Sequence, residues 1–392
     1  MSWLDTSAST ESPWPAGVRF IDHHCHPWLR EWQAQGVPDF RACFSESPAR
    51  TLTDEHVPRS LPYRRALSEL AALLGCAATE EAVLAARRSA TAEDYLARLF
   101  AGAEIGSLLL DDGFPPPGTA LTVAEVGAAS GLPVGRILRI ETLVQDLTLD
   151  CAGFGELVER FDGVAGNLRA SGIVALKSIA AYRSGLRLAP VDYAAAAEAW
   201  QPLRAKAQRD GAIRLVAKSL VDFFAWRAVA HASRQGAAIQ FHTGYGDPDL
   251  DLREANPLHL RPLLEEEALR GAKVVLLHGA YPYTREAAYL AAVYPQVYLD
   301  VSTALPPLGF AEIEAALSQA LAVAPASKVL LSSDGVRIPE HHVLGARAAR
   351  RALATVLRRS VDAGELAADE ADDLAAWPLQ RTAEAVYGVT AT

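Results

Sequence analysis

The sequence predicts an α/β fold, a (β/α)8 TIM barrel with a long helical insertion after its first strand. Three observations predict it. Eight short runs of four to six mostly apolar residues punctuate the 392-residue chain, the pattern of strands buried on both faces of a parallel sheet. Amphipathic stretches lie between them, and strand–helix alternation implies right-handed βαβ units. No glycine-rich phosphate turn follows the first run, which disfavours the competing open, doubly wound sheet.

In chain order, the first strand is expected at 18–22. About eighty residues then precede the second strand, 105–110, where a barrel unit needs roughly thirty. The intervening stretch, 30–103, reads as a helical insertion within one domain spanning 1–392, with helices at 63–74, 79–89 and 91–101. Thr79 and Thr91 are N-cap candidates, each followed by acids suited to a first helical turn: Glu80 and Glu81, then Glu93 and Asp94. The prolines at 115–117 signal a loop. Strands follow at 135–140, 172–176, 237–241, 273–277, 297–301 and 328–331, with helices at 193–209, 218–234, 257–268, 284–294 and 310–321. Helices at 344–360, 369–376 and 378–387 close the chain, with Pro378 opening the last.

Composition bounds the function. Lys plus Arg total 37 against 47 Asp plus Glu, a net charge of −10, which argues against a general nucleic-acid or polyanion binder. No apolar run approaches the ~18 residues that would span a membrane. The N-terminal stretch MSWLDTSASTESPWPAG lacks the basic start and apolar run of a secretion signal. Cys25, Cys43, Cys76 and Cys151 are scattered with no CxxC pair, as expected of free thiols in a reducing cytoplasm. A soluble, cytoplasmic protein acting on a small molecule, with no nucleic-acid or membrane partner, is the expectation; a homo-oligomer is compatible with it.

The chemistry-bearing residues cluster at strand ends. The first strand runs into Asp22-His23-His24-Cys25-His26. Residues two apart share a strand face, so His24 and His26 can hold one cation together, or stand as solvated imidazoles at a polar strand end. Lys177 ends the fourth strand, His242 the fifth, His278 the sixth and Asp334 the eighth. Barrel enzymes place catalytic groups at that C-terminal face. Tyr182 and Arg183 follow Lys177; Arg183 is either a bidentate carboxylate clamp or a solvated loop arginine. Glu141, after the third strand, could bind a substrate ammonium or make a structural ion pair. The loop 243–251 reads as a lid or a pocket-shaping turn. Tyr281, Tyr283 and Arg285 follow His278 near the same mouth. His23, His341 and His342 read as polar surface groups or supports of the site.

HxH after strand one, Lys after strand four, His after strands five and six and Asp after strand eight is the pattern of the amidohydrolase superfamily, which the chain resembles over about 18–388. The stretches ALKSIAAYRSGL (175–186), QFHTGYGDPDLDLREANPLHL (240–260), LLHGAYPYTREAAYLAAVYPQVYLDVS (276–302) and SKVLLSSDG (327–335) resemble a narrower branch, amidohydrolase-2. That branch occurs as the N-terminal domain of fungal sporulation-signal and plant nodulin-type glutamine-synthetase-like proteins, and as free-standing bacterial enzymes. The resemblance implies that His24 and His26 bind a first metal. Asp334 would be both ligand and proton carrier. His242 would bind that metal or a second, and His278 a second metal or, in a one-metal site, the nucleophile or substrate. Lys177 would be carbamylated and bridging in a two-metal site, or an ammonium facing a substrate carboxylate in a one-metal site. The donor set suits zinc first, then manganese or iron.

The implied activity is metal-dependent hydrolysis of a C–N amide bond in a small polar substrate, a γ-glutamyl or other amino-acid amide by analogy within the branch. Tyr182, Arg183, Glu141 and Tyr281 are its substrate-binding candidates. The alternatives are a metal-dependent, non-hydrolytic decarboxylase of the same superfamily and a non-catalytic regulatory barrel.

Overall fold

A computed structural model describes residues 15, 17–116, 118–302 and 308–391. The first fourteen residues and Pro117, on which the N-terminal reading and part of the proline loop rest, lie outside the described residues.

Eight strands form one sheet in chain order: β1 (Phe20–Cys25), β2 (Ile105–Asp111), β3 (Val134–Arg139), β4 (Ile173–Ser178), β5 (Ala238–Phe241), β6 (Lys273–Leu276), β7 (Val297–Asp300) and β8 (Val329–Leu330). Neighbouring strands pair in parallel, with Asp22 opposite Leu108, Arg139 opposite Lys177, Lys177 opposite Gln240 and Gln240 opposite Val275. This is the strand order of the (β/α)8 class, and each expected strand forms within one to three residues of its expected bounds. Every residue of β1, β2 and β5 is buried; β2 and β5 are accordingly mostly apolar, whereas β1 also buries Asp22, His23 and His24.

The chain packs as two compact units. One comprises Met1–Gly135 with Asp300–Thr392, the other Arg136–Leu299. In the first, the long connection after β1 is helical as expected, with helices at Leu61–Leu74, Glu80–Ser89 and Ala92–Phe100. Thr79 Oγ1 accepts from Ala82 N at 3.2 Å and Thr91 Oγ1 from Asp94 N at 3.1 Å, so both expected caps are made. The insertion is fixed to the helix Glu340–Asp362 by a buried ion pair. Arg87 donates to Glu340 through Nε at 2.8 Å, and Tyr95 Oη donates to the same carboxylate at 2.6 Å. Burial disfavours the Arg87 charge, but Glu340 and the other partners outweigh it and hold the guanidinium ionised.

The last helix, Thr382–Tyr387, reaches back to β1. His23 Nε2 donates to Asp300 Oδ1 at 3.0 Å, so its Nδ1 accepts from Tyr387 Oη, also at 3.0 Å. His23, His341 and His342 are all buried, which corrects the surface reading for these residues.

In the second unit, Tyr193–Asp210 and Lys218–Gln235 form the expected helices. The helix expected at 257–268 is broken into short pieces, Pro257–Leu260, Arg261–Glu265 and Glu267–Leu269. Pro257 and Pro262 remove two backbone donors from the stretch, and Asn256 Oδ1 caps Leu258 N at 3.0 Å. Helices at Val123–Ser130, Ile140–Asp150 and Phe154–Ala165 were not foreseen. Among the described residues, no helix is long and apolar enough to cross a membrane.

Candidate active site

In the first unit, β1 carries His24 on its last turn of pleat and delivers His26 just beyond it, while Asp334 follows β8. Asp334 Oδ1 lies 3.5 Å from His24 Nε2 and 3.5 Å from His26 Nε2. The three ligand atoms lie within 4.8 Å of one another. These distances fit a shared cation: tetrahedral ligands at 2.0–2.1 Å from zinc stand about 3.4 Å apart. The tautomer fits as well. His26 Nδ1 donates to Asp111 O at 3.0 Å, which leaves the Nε2 lone pair on the side of Asp334. Side-chain exposure rises from 0% at His24 to 10% at His26 and 18% at Asp334, so solvent reaches the group from the carboxylate side.

Asp334 is held in the left-handed region at φ 50, a conformation unfavourable for a residue with a Cβ. Its neighbours over-determine it. Asp334 N donates to His24 O at 3.1 Å, and His26 N donates to Gly335 O at 2.7 Å. Beneath them, the Asp22 carboxylate accepts from Ser333 N at 2.7 Å, from Ser333 Oγ at 2.5 Å and from His342 Nδ1 at 3.2 Å. A Cβ on Gly345 would stand 2.5 Å from that of Ser333, so the helix Glu340–Asp362 approaches the β8 loop this closely because position 345 has no side chain. Asp22, Ser333, Asp111 and Gly345 were not foreseen as part of this constellation, whereas His342 takes the supporting place that the sequence left open beside a surface one.

Asp22, Cys25 and His342 also stand close enough together to share a cation. Their chemistry argues otherwise. Burial, and then the Asp22 charge, push the Cys25 thiol well above its usual range. The sulfur donates to Leu109 O at 3.4 Å, and Asp22 already accepts three hydrogen bonds. This group is scaffolding for the β1 and β8 ends.

The second unit carries the other foreseen residues. Lys177 is fully buried near the end of β4, between Arg139 of β3 and Gln240 of β5 in the strand register. His242 follows β5, and its Nε2 donates to Tyr245 O at 3.0 Å, which puts the ring lone pair on Nδ1. Its ring lies 4.4 Å from that of His278 and 4.5 Å from that of Tyr182. His278, Gly279 and Ala280 are consecutive left-handed residues, at φ 64, 58 and 48, a strained turn that sets His278 beside His242. The loop after β5 is pinned against it: Tyr245 N donates to Tyr281 O at 2.8 Å. Gly244, at φ 69, lies so near the Ala280 backbone that a Cβ would overlap it. Tyr281 meets this loop through its carbonyl and an edge contact with Tyr245 at 6.4 Å.

Glu141 and Arg183 flank the end of β4. Glu141 Oε1 accepts from Ser178 Oγ at 2.7 Å and Ile179 N at 3.0 Å, while Oε2 is buried with no donor. Burial raises its carboxyl above the usual range. Arg183 is half-buried, and desolvation followed by the nearby Arg214 lowers its guanidinium from the usual value.

A family model described as amidohydrolase matches residues 187–389. Protein fluG of Emericella nidulans is 29% identical over an alignment that covers 94% of this chain and 45% of that protein, so the chain spans less than half the length of this relative. The crystal structure of a protein from Lactobacillus casei ATCC 334, named as an inferred metal-dependent hydrolase, superposes with a TM-score of 0.84 at 29% identity, covering 95% of this chain and 96% of that one. Uronate isomerase of Thermotoga maritima shares the fold, with a TM-score of 0.67 at 16% identity over 95% of each chain. The strand order, the ligand triangle and the match over more than half of its length agree: the chain belongs to the amidohydrolase family, whose superfamily consists of metal-dependent enzymes.

Proposed function

We propose that the protein hydrolyses a C–N amide bond of a small polar substrate, with the His24, His26 and Asp334 triangle as its metal centre. The observation that supports this most directly is the 3.5 Å spacing of Asp334 Oδ1 from both imidazole nitrogens, with the His26 tautomer fixed behind it. The donor set suits zinc first and manganese or iron next. When bound, such an ion would acidify a water and polarise the scissile carbonyl.

The chain's own residues supply the rest. His24 and His26 present their Nε2 atoms to the shared ion. In this reading Asp334 takes a proton from the attacking water at a carboxylate oxygen and passes it to the leaving nitrogen, which therefore departs as a neutral amine. Its orientation is set by the Asp22–Ser333 clamp rather than by its own backbone preference. In this reading His242 and His278 are the residues of the second unit that would hold a second ion, with Lys177 as a carbamate in that two-ion form. The insertion, 30–103, belongs in this reading to the same single domain as the barrel.

Hydrolysis in oxygen-18 water tests the reaction class. An amide substrate must yield a carboxylate carrying the label; carbon dioxide release with no label in the remaining product would point to the decarboxylase instead. Metal analysis joined to intact mass counts the ions. Two equivalents with one carbon dioxide added at Lys177 support the two-ion form, and one equivalent with an unmodified lysine supports the other.

A further inference from the structure

Arg359, on the helix Glu340–Asp362, pairs with Glu314 at 2.5 Å, and Arg41, in the insertion, pairs with Glu80 at 2.6 Å. Four other arginines of the same unit share a single acid. Arg65 and Glu69 lie one turn apart on the helix Leu61–Leu74. Arg347, Arg350 and Arg351 lie within a turn of one another on Glu340–Asp362, which packs against it. Glu69 Oε1 stands 3.1 Å from Arg65 Nε, and Glu69 Oε2 stands 4.0 Å from Arg347 Nε. Phe310, at the start of the helix Phe310–Leu321, completes the group. The guanidinium carbon of Arg351 lies 4.5 Å from its ring centre, and that of Arg65 lies 5.6 Å away.

Charge is out of balance there. Arginine keeps its proton in proteins, so four guanidinium groups face one carboxylate among the described residues. Like charges one turn apart weaken a helix, and Arg347 and Arg351 stand at that spacing. Burial adds to the cost. Arg350 is 4% exposed, and desolvation followed by the charges of Arg347 and Arg351 pushes its guanidinium down to about 10. Desolvation also lowers Arg65, whose Nη1 is buried with no acceptor. Exposure grows outward, from Arg350 through the side chains of Arg347 at 11% and Arg65 at 20% to the exposed Arg351. The Arg351 guanidinium faces the Phe310 ring and makes no ion pair among the described residues. The cluster is therefore strongly positive, reachable from the Arg351 side, and holds a buried donor short of an acceptor.

We propose that this cluster is a binding site for a phosphate-type oxyanion, held by Arg65 and Arg351 with Arg347 and Arg350 behind them. A tetrahedral dianion matches the excess of positive charge and accepts from guanidinium forks in several directions at once. A second carboxylate would match it less well, since its two oxygens lie in one plane. Inorganic phosphate and phosphate monoesters share the head group that the cluster fits. An occupied site would also join the insertion helix Leu61–Leu74 to Glu340–Asp362, because it draws donors from both. None of these residues belongs to the His24, His26 and Asp334 triangle, so the site stands or falls apart from the amide-hydrolase reading.

Calorimetric titration of the full chain with inorganic phosphate, at an ionic strength fixed with sodium chloride, tests the site. The expected result is saturable binding tighter than about 1 mM, with acetate bound at least about tenfold more weakly. Arg351→Gln, at an exposed position, must weaken phosphate by at least about tenfold while leaving the thermal midpoint without phosphate unchanged. Glu69→Gln, which removes the competing negative charge, must tighten it. Phosphate must also raise the thermal midpoint of the wild type and not that of Arg351→Gln. Glycerol phosphate, titrated alongside, names the source: tighter binding than inorganic phosphate assigns the site to an ester, weaker binding to the free ion, and either result keeps the site. Three outcomes overturn it: no saturable binding, a preference for acetate, or equal affinity in the wild type and Arg351→Gln, which would place the phosphate elsewhere in the molecule.

Discussion

Asp334 is a carboxylate whose use depends on other residues. Its left-handed backbone is held by its own hydrogen bond to His24 O and by the one that Gly335 O accepts from His26 N, and the residue before it is clamped by Asp22. Asp334→Asn keeps the shape and loses the proton carrier, so kcat should fall by about 10² to 10⁴, with metal content measured alongside to separate proton transfer from ion loss. His341 makes a different prediction. Burial, then its neighbour His342, lower its pKa from 6.5 to about 3, while Nδ1 donates to Val336 O at 2.9 Å. The unfolded chain takes up a proton below pH 6.5 that the folded chain refuses. Stability should therefore fall with acid between about pH 6.5 and about 3, at up to about 1.4 kcal/mol per pH unit from this residue. His341→Asn, which keeps a donor at the Nδ1 position, should flatten that slope in urea midpoints taken from pH 7 to pH 4. An unchanged slope would assign the acid sensitivity to other groups.

At the scale of elements, the insertion and the helix after β8 are bound by charge inside an apolar contact. Arg87 and Glu340 are both fully buried, and the guanidinium carbon also lies 4.9 Å above the Phe40 ring. Glu340→Ala leaves Arg87 charged without its partner and should cost about 3–5 kcal/mol in urea unfolding. Replacing both, as Arg87→Met with Glu340→Leu, should recover most of that loss; failure to recover would mean that the hydrogen bond from Tyr95 matters more than the charge. The elements themselves were largely legible. Buried parallel strands are mostly apolar, and Thr79 and Thr91 announce helix starts by satisfying backbone donors locally. The placement of His24, Lys177, His242, His278 and Asp334 at or just beyond strand ends was legible for a related reason, since each follows a run that is buried as a strand. The roles of Asp22 and Ser333 were not, because each depends on a partner some three hundred residues away. The helix Ile140–Asp150 was missed because it begins directly at the end of β3 with no capping side chain, so no break in the sequence separates the two. The broken stretch 257–269 was read as one helix because its leucines keep helical spacing while its prolines interrupt the backbone.

At the scale of the whole molecule, the ion proposed for His24, His26 and Asp334 would link segments some three hundred residues apart in the chain, so removing it should loosen more than the site. A ligand bound to the folded form alone stabilises it by about 4 kcal/mol at a thousandfold excess over its Kd. Chelation should lower the thermal midpoint, and readdition of zinc should restore both midpoint and activity. A midpoint indifferent to chelator would argue that the triangle holds no ion in the working protein. The same connectivity governs assembly during synthesis. The unit Arg136–Leu299 is continuous in the chain and can collect its contacts as soon as it emerges from the ribosome. The other unit cannot: His23 waits for Asp300 and Tyr387, and Asp22 waits for Ser333. A nascent polypeptide released before residue 387 would carry every foreseen catalytic side chain and still lack Tyr387, the hydroxyl that steadies the His23 imidazole beside His24.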